Sequence, residues 1–208
     1  MKKVLLLTLV VVAAALFAFS PEAGENYKTL EAGDKAPMVT VTMKSIDGKR
    51  LNLESLAEEN GTLVVFTCNT CPFVMQWEDR YLQVAALAAK SKIGVALINS
   101  NEAKRGGEDS IEKMKKHATE KGYGELAYLV DEKSALANAF GAKTTPHIFL
   151  FDKEWKLVYE GAIDDNARDA KAVTATYLKD ALKNLMSGKK ISPSNTKAIG
   201  CSIKRVKV

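Results

Sequence analysis

The chain has 208 residues, of which 47% are apolar and 26% are charged. This balance is typical of a soluble globular protein whose core can form without a metal or a disulfide. The formal net charge is +5, and it falls to +3 when Lys2 and Lys3 of the N-terminal segment are set aside. An excess this small, without a basic stripe interleaved with aromatic residues, argues against a nucleic-acid partner.

The first 20 residues have the pattern of an export signal. Two lysines precede a run over residues 4–19 that is apolar apart from Thr8. A basic start followed by a short apolar run is typical of a secretory signal peptide. Pro21 follows the expected cleavage site and disfavours cleavage, so the alternative to a signal peptide is an uncleaved membrane anchor. The apolar run is, however, shorter than the ~20 residues that cross a bilayer comfortably. Both interpretations place the rest of the chain outside the cytoplasm, in the periplasm or facing outward.

The next elements follow in chain order. A polar linker is expected over residues 21–34. Alternating apolar residues on both sides of an Asp-Gly turn at 47–48 predict a β-hairpin over residues 39–53. A short apolar run at 63–66 predicts a buried strand. Apolar residues spaced three and four apart then predict a long helix over residues 74–88.

The second half of the chain continues the alternation of strands and helices. The predicted elements are a strand at 95–98, a helix with the capping-box residues Asp109 and Glu112 that ends near Gly122, a short helix at 131–141, strands at 148–151 and 157–159, and a helix at 173–188. This order predicts an α/β domain over residues 35–188, with a mixed central sheet flanked by helices. Residues 189–208 follow as a tail that carries Cys201.

Cys68 and Cys71 lie where the predicted strand 63–66 meets the predicted helix 74–88. Only the thiolate form of a cysteine attacks a disulfide, and the unpaired N–H groups at a helix start favour that negative charge. Three cysteines are an odd number, which fits redox chemistry better than a structural framework. We expect Cys68 to be the exposed nucleophile and Cys71 the more buried thiol that resolves the mixed disulfide.

From about residue 33 to residue 188 the chain resembles the thioredoxin superfamily. The resemblance is to the redoxin branch, with its alkyl hydroperoxide reductase-like and membrane-anchored TlpA-like proteins. It is carried by residues 66–72, by Thr145-Pro146 before a strand, and by residues 161–163. It implies a thioredoxin-like fold and a thiol–disulfide oxidoreductase, with reduction of protein disulfides as the first expectation.

The same resemblance implies roles for the loop before strand 148–151. Pro146 would be cis and would pack beside the active disulfide, and the main chain of Thr145 would hydrogen-bond a bound peptide. Gly161 would lie in a loop that borders the substrate groove. The implied partners are protein thiols or disulfides and a second protein that recycles the redox pair, and no cofactor is implied.

Two departures from the superfamily concern proton transfer. Many thioredoxins have a buried acid on the strand before the cysteines, where this chain has Thr62, and an aromatic residue before the first cysteine, where it has Thr67. His147, next to Pro146, is therefore the candidate for carrying a proton near neutral pH. The alternative is a histidine at the end of a strand that forms local hydrogen bonds.

Two further features are left open by the sequence. Cys201 is either a spare thiol in a flexible tail or a third redox thiol that exchanges with the pair Cys68 and Cys71, or links to a partner. Asp164 and Asp165 resemble a metal-binding run, and a turn that caps the last helix explains them equally well.

Two rival functions are weaker. A peroxiredoxin needs Thr or Ser three residues before its reactive cysteine, whereas Val65 and Cys68 occupy those positions here. Copper-delivery proteins of the same fold use two cysteines and a distant histidine, and Cys68, Cys71 and His147 are soft enough ligands to mimic that set. Those proteins usually separate the cysteines by three residues, and here two intervene, so the sequence favours a redox pair without a bound metal.

Overall fold

The strand predicted at 63–66 forms the centre of the protein. In the computed structural model, which describes residues 27–206, this strand runs from Gly61 to Thr67 and all seven of its residues are buried. Such a run is expected where a strand has neighbours on both edges and packed layers on both faces. Its neighbours are the parallel strand Ile93–Asn99 and the antiparallel strand His147–Phe151.

In the part of the chain that the structure describes, seven strands make one mixed sheet, and two short strands pair separately. In chain order the strands are β1 (Met43–Ser45), β2 (Arg50–Leu51), β3 (Gly61–Thr67), β4 (Ile93–Asn99), β5 (Ala127–Val130), β6 (Thr144–Thr145), β7 (His147–Phe151), β8 (Leu157–Gly161) and β9 (Cys201–Ser202). The order across the large sheet is β2-β1-β5-β4-β3-β7-β8, and β6 pairs with β9. Strands β3, β4 and β5 are parallel, whereas β1, β2, β7 and β8 pair antiparallel. The mixed central sheet and the N-terminal hairpin are therefore confirmed.

Within the described residues 27–206, six helices flank the sheet on two faces. They are α1 (Leu53–Leu56), α2 (Pro72–Trp77), α3 (Tyr81–Lys90), α4 (Ile111–Lys121), α5 (Ala135–Phe140) and α6 (Tyr177–Met186). Because side chains alternate along a strand, Leu63 and Val65 of β3 point to one layer, and Val64 and Phe66 point to the other. The first layer, which we call the thiol face, contains Cys68 and Cys71 together with α2, α3, α4 and α6. The opposite face contains α1 and α5.

The helix predicted over residues 74–88 is two helices in the structure. Helix α2 ends at Trp77, a 3-10 turn spans Glu78–Arg80, and α3 begins at Tyr81. The turn carries two buried charged side chains, Glu78 and Arg80. Glu78 contacts His117 Nε2 at 2.9 Å, and Arg80 Nη1 lies 3.3 Å from an oxygen of Asp164. Trp77 and Tyr81 both stay on the thiol face across the turn. The apolar periodicity therefore continues through the interruption, and the pattern alone does not reveal it.

The structure also adds elements that the sequence did not predict. Strand β5 lies between the helix end expected near Gly122 and the helix expected from residue 131, where no strand was predicted. Strands β6 and β9 were not predicted either. The signal peptide or anchor predicted over residues 1–20 lies outside the described residues. Between Tyr27 and Val206 no helix is long and apolar enough to cross a membrane.

Candidate active site

Cys68 and Cys71 lie at the carboxyl end of β3, where the chain turns into α2. Cys71 is the residue that caps α2, and Pro72 occupies its first position, where a missing N–H costs nothing. All three cysteines are free thiols. Only 2% of Cys68 and 4% of Cys71 is exposed. Cys68 is therefore not exposed as expected, because neighbouring segments cover both sulfurs.

The loop between α5 and β7 brings Thr145 and Pro146 to the two sulfurs. The Thr145–Pro146 peptide bond is cis, which confirms what the family resemblance implied. Cys68 Sγ lies 3.3 Å from Thr145 Oγ1. In its thiol form, Cys71 donates a hydrogen bond to the carbonyl oxygen of Thr145 at 3.1 Å. Thr145, the residue that precedes the cis bond, thus contacts both cysteines of the pair.

The environment separates the two cysteines electrostatically. Hydrogen bonds from the thiols of Cys68 and Cys201 and from main-chain N–H groups lower the pKa of Cys71 to about 4, against the opposing effect of burial. The pKa of Cys68 is raised, first by its hydrogen bond to Cys71 and then by burial and by the charge of Asp109. The contact between the two thiols thus shifts their pKa values in opposite directions and stabilises one thiolate in the pair. The role of Cys68 as the nucleophile stays a prediction.

A buried polar network holds the residues between the two cysteines. Asp109, which is fully buried, accepts hydrogen bonds from the Asn69 main-chain N–H at 2.9 Å, from Asn99 at 2.7 Å and from Asn101 at 3.0 Å. The hydroxyl of Tyr128 on β5 donates to the Asn69 side chain at 2.9 Å. Because a buried donor or acceptor without a partner is costly, these contacts fix the conformation of the loop.

Sequence reasoning missed Asp109 as a residue of the site. Its spacing to Glu112 predicted a capping box for α4, but the cap is Ser110, whose side chain accepts from the Lys113 N–H at 3.3 Å. Asp109 thus places a buried carboxylate from the loop after β4 against the main chain of Asn69, which lies between the two cysteines in the sequence. The spacing of Asp109 and Glu112 fits a helix cap and therefore gave no indication that Asp109 accepts hydrogen bonds beside the cysteines.

The C-terminal tail lies directly on the site. Strand β9 pairs antiparallel with β6, so that Cys201 stands opposite Thr145 and Ser202 opposite Thr144. The Cys201 thiol hydrogen-bonds to Cys71, and burial raises the pKa of Cys201. The structure thus brings the third cysteine to the other two, as one of the alternatives left open by the sequence requires.

The predicted groove residue Gly161 is also covered by the tail. Gly161 has a φ of +136°, and a side chain there would collide with Thr196, whose Oγ1 lies 2.1 Å from an ideal Cβ position. Thr196 Oγ1 accepts a hydrogen bond from the Ala162 N–H at 3.0 Å. Gly161 therefore borders the tail in this structure, and its role toward substrate stays a prediction.

His147 turns away from the sulfurs. It packs against Phe149 of the opposite face, with ring centroids 4.6 Å apart. Its Nδ1 accepts from the Lys143 N–H at 3.2 Å, and Nε2 therefore donates to Glu160 at 2.8 Å. These are the local hydrogen bonds of the alternative interpretation, and nothing in them supports the proton-transfer role.

The two acidic residues that resembled a metal-binding run form turn contacts. Asp164 is buried and accepts from the indole N–H of Trp77 at 2.8 Å and from the Asn166 N–H at 3.0 Å. Asp165 accepts from the Thr174 N–H at 3.0 Å. Within residues 27–206 no group of three His, Cys, Asp or Glu side chains is placed to bind a metal ion. The alternative copper set of Cys68, Cys71 and His147 is therefore not assembled.

Comparison with known proteins agrees with the fold. An uncharacterized conserved protein from Geobacillus kaustophilus is 34% identical with a TM-score of 0.78, over 86% of this chain and 94% of that one. A hypothetical protein from Sinorhizobium meliloti is 31% identical with a TM-score of 0.78, over 87% and 98% of the two chains. A putative thiol:disulfide interchange protein DsbE from Chlorobium tepidum is 20% identical, with a TM-score of 0.56 over 77% of this chain and 98% of that one. This last likeness supports the thioredoxin-like fold alone.

A search among curated proteins gave no match. The redoxin family model matches residues 31–178, which include the cysteine pair, the cis-proline loop and the strand that ends at Gly161. Membership of this family supports an oxidoreductase activity. Since the match spans more than half of the sequence, the chain belongs to the redoxin family.

Proposed function

We propose that the chain is an extracytoplasmic thiol–disulfide oxidoreductase that acts on protein disulfides through Cys68 and Cys71. The observation that carries the proposal is the hydrogen-bond contact between these two free thiols beside Thr145 and the cis peptide bond. Two thiols already in contact can form a disulfide with little movement of the backbone, and they can reopen in the same way. The polar network around Asn69 holds the loop in the geometry that this cycle needs.

In the proposed cycle Cys68 attacks and Cys71 resolves. The Cys68 thiolate displaces one sulfur of a substrate disulfide, which forms a Cys68–substrate disulfide and releases a substrate thiolate that takes up a proton. Cys71 then loses its proton and attacks the Cys68 sulfur, which forms the Cys68–Cys71 disulfide and releases the second substrate thiolate. Two electrons have passed from the enzyme to the substrate. The contacts of Thr145 support this order, because its hydroxyl can donate to a thiolate at Cys68, whereas its carbonyl oxygen accepts from the Cys71 thiol.

The location of the protein is proposed from residues 1–20 alone. Their pattern is that of a signal peptide or of an anchor over residues 4–19. Disulfides persist in secreted and periplasmic proteins, so an outward-facing enzyme of this kind meets protein disulfides as substrates. A reductase there also needs a second thiol protein that returns the Cys68–Cys71 disulfide to the dithiol.

The direction of electron flow has two candidates. Reduction of protein disulfides is the first, because the redoxin branch that the chain resembles favours it. Oxidation of protein dithiols is the second, and the lowered pKa of Cys71 favours it. A stabilised thiolate stabilises the reduced pair and so raises the reduction potential of the disulfide.

The test begins with the full chain, purified in detergent, in a dithiothreitol redox series followed by mapping of the disulfides by mass spectrometry. We expect a reversible Cys68–Cys71 disulfide, and its potential against that of the periplasmic oxidants decides between the two directions. A pair that never cycles, or that copurifies with one equivalent of copper, would overturn the proposal in favour of metal delivery.

The roles of the two cysteines are tested with a matched pair of variants. Cys71→Ser keeps the attacking thiol without the resolving thiol, so it should trap a mixed disulfide with an oxidised test protein. Cys68→Ser should trap none and should lose activity by about a thousandfold, because the nucleophile is gone. Trapping by Cys68→Ser alone would assign the role of nucleophile to Cys71.

A further inference from the structure

The tail covers both main-chain features that the family resemblance assigned to substrate. Strand β9 pairs with β6 at Thr145. Further back, Asn195 forms a parallel bridge to Glu160 beside Gly161, and the Thr196 N–H donates to the Glu160 carbonyl at 3.0 Å. Without the tail, β6 would be a short unpaired edge beside the two thiols. Such an edge is what an extended peptide recognises when it adds a strand.

The register of the tail carries a thiol to the cysteine pair. Opposite Thr145 stands Cys201, whose thiol hydrogen-bonds to Cys71. Thr145 also accepts from Cys71 at 3.1 Å. A bound substrate chain would have to present its sulfur in a similar way, with its main chain on Thr145 and its thiol or disulfide at the cysteine pair.

The residue before Cys201 makes this close approach sterically possible. A Cβ at Gly200 would lie 2.2 Å from the Thr145 carbonyl oxygen and 3.1 Å from the Thr144 Cβ. The first distance is far inside van der Waals contact, and the obstacle is backbone that has no rotamer to change. Gly200 is therefore required for β9 to pair with β6, and a methyl group there separates the two strands.

We propose that the tail is an internal substrate: β9 occupies the peptide-binding edge at Thr145, and Cys201 exchanges with the Cys68–Cys71 disulfide to form a Cys71–Cys201 disulfide. This inference rests on the proposed function. The Cys201 thiolate attacks the Cys71 sulfur, the Cys71–Cys201 bond forms as the Cys68–Cys71 bond breaks, and the electron pair leaves with Cys68, which takes up a proton. The number of disulfides is unchanged, so no further oxidant is needed. An external peptide binds only after the tail has left Thr145.

The exchange is tested by removing Cys68 from the full chain. In a glutathione redox series, Cys71 of Cys68→Ser first forms a mixed disulfide with glutathione, and Cys201 then displaces the glutathione. We expect mass spectrometry to find Cys71–Cys201 as the main species. The matched control Cys68→Ser/Cys201→Ser should accumulate the glutathione adduct instead. Equal accumulation of the adduct in both variants would overturn the exchange.

Occupation of the edge is tested separately with two glycine variants. Gly200→Ala should release β9 and raise the alkylation rate of Cys71 in the reduced chain by about tenfold or more, since an occluded site reacts only through its open fraction. Gly124→Ala is the matched control, because a Cβ there meets nothing within 4 Å. Equal alkylation rates in Gly200→Ala and Gly124→Ala would overturn the occupation of the edge.

The outcomes separate this inference from the proposed function. If the wild-type chain forms a reversible Cys68–Cys71 disulfide and Cys68→Ser never forms Cys71–Cys201, only the internal exchange is wrong. If the wild-type chain never forms Cys68–Cys71, the proposed function fails and the inference fails with it.

Discussion

Two segments of the chain meet at Thr145, and different kinds of contact hold them there. The loop of residues 68–71 is held by buried side chains. The carboxylate of Asp109 accepts three hydrogen bonds, one of them from the main chain of Asn69, and Tyr128 adds a fourth contact from β5. Every one of these groups is within the packed interior.

The tail is held mostly through its main chain. The Ile203 N–H donates to the Lys143 carbonyl at 3.1 Å, and the Lys204 N–H donates to the Asn101 side chain at 2.8 Å. Ile203 is the apolar anchor of this part of the tail, with 5% of its surface exposed. Ile199, four residues earlier, is 45% exposed.

The difference explains how one site can be both rigid and exchangeable. Buried polar side chains have no substitute partners when the loop moves, so the geometry of the cysteine pair is fixed. Main-chain hydrogen bonds at an edge can be replaced by those of any other extended chain without loss. The pair is therefore preorganised, while the strand that faces it can change.

The largest effect is expected when the Asp109 carboxylate, which holds the cysteine loop, is removed. In Asp109→Ala three buried N–H donors lose their acceptor, at about 1–3 kcal/mol each, so we expect the free energy of unfolding to fall by about 3 kcal/mol or more. Urea denaturation of the reduced chain measures it. The control Asp109→Asn keeps one acceptor oxygen and should lose about half as much. A loss below about 1 kcal/mol in Asp109→Ala would show that the loop does not depend on this network.

Much of the loop segment could be predicted from the sequence. The run at 63–66 predicted β3, and the cysteines at its end and the Thr145–Pro146 loop followed from residue types and the family resemblance. These features are encoded locally, because a buried strand and a helix start each leave a pattern within a few residues.

The other half of the comparison could not be predicted in this way. Strand β9 is two residues long and exists because Thr145, far away in the sequence, offers it an edge. Asp109 has the spacing of a helix cap, and its role depends on β4 bringing Asn99 beside the cysteine loop. Local sequence patterns do not reveal such contacts, because tertiary packing decides whether an aspartate caps a helix or accepts buried hydrogen bonds.

The second prediction asks whether the tail can leave on its own. Ile203→Ala removes the apolar anchor and should cost about 2 kcal/mol at this partly peripheral site. If the tail opens separately, the amides of residues 201–204 should exchange hydrogen about tenfold to thirtyfold faster, while those of β3 are unchanged. Native-state hydrogen exchange measures both regions in one sample.

A matched substitution in the same tail serves as the control. Ile199→Ala removes the same atoms from a side chain that is already 45% exposed, so the change should stay within about 0.5 kcal/mol. Equal acceleration of the β3 amides and the tail amides in Ile203→Ala would mean that the tail opens only with the whole protein.

The smallest expected effect is that of pH on the alkylation rate of Cys71, which should hardly change. The pKa of Cys71 is lowered to about 4, so its thiolate is fully formed across the neutral range, and its alkylation rate should vary less than about threefold from pH 6 to pH 8. The pKa of Cys201 is raised from its ordinary value, first by burial and then by its contact with Cys71. Its thiolate is therefore the minor form, and its alkylation rate should rise about tenfold with each pH unit.

Both thiols can be followed in the same wild-type sample, by quantifying alkylated peptides after brief exposure to a small reagent. The two slopes then compare the loop and the tail directly. A rise of about tenfold per unit at Cys71 would mean that the Cys68 and Cys201 thiols do not stabilise its thiolate. In that case Cys71 in the loop would have no electrostatic advantage over the thiol in the tail.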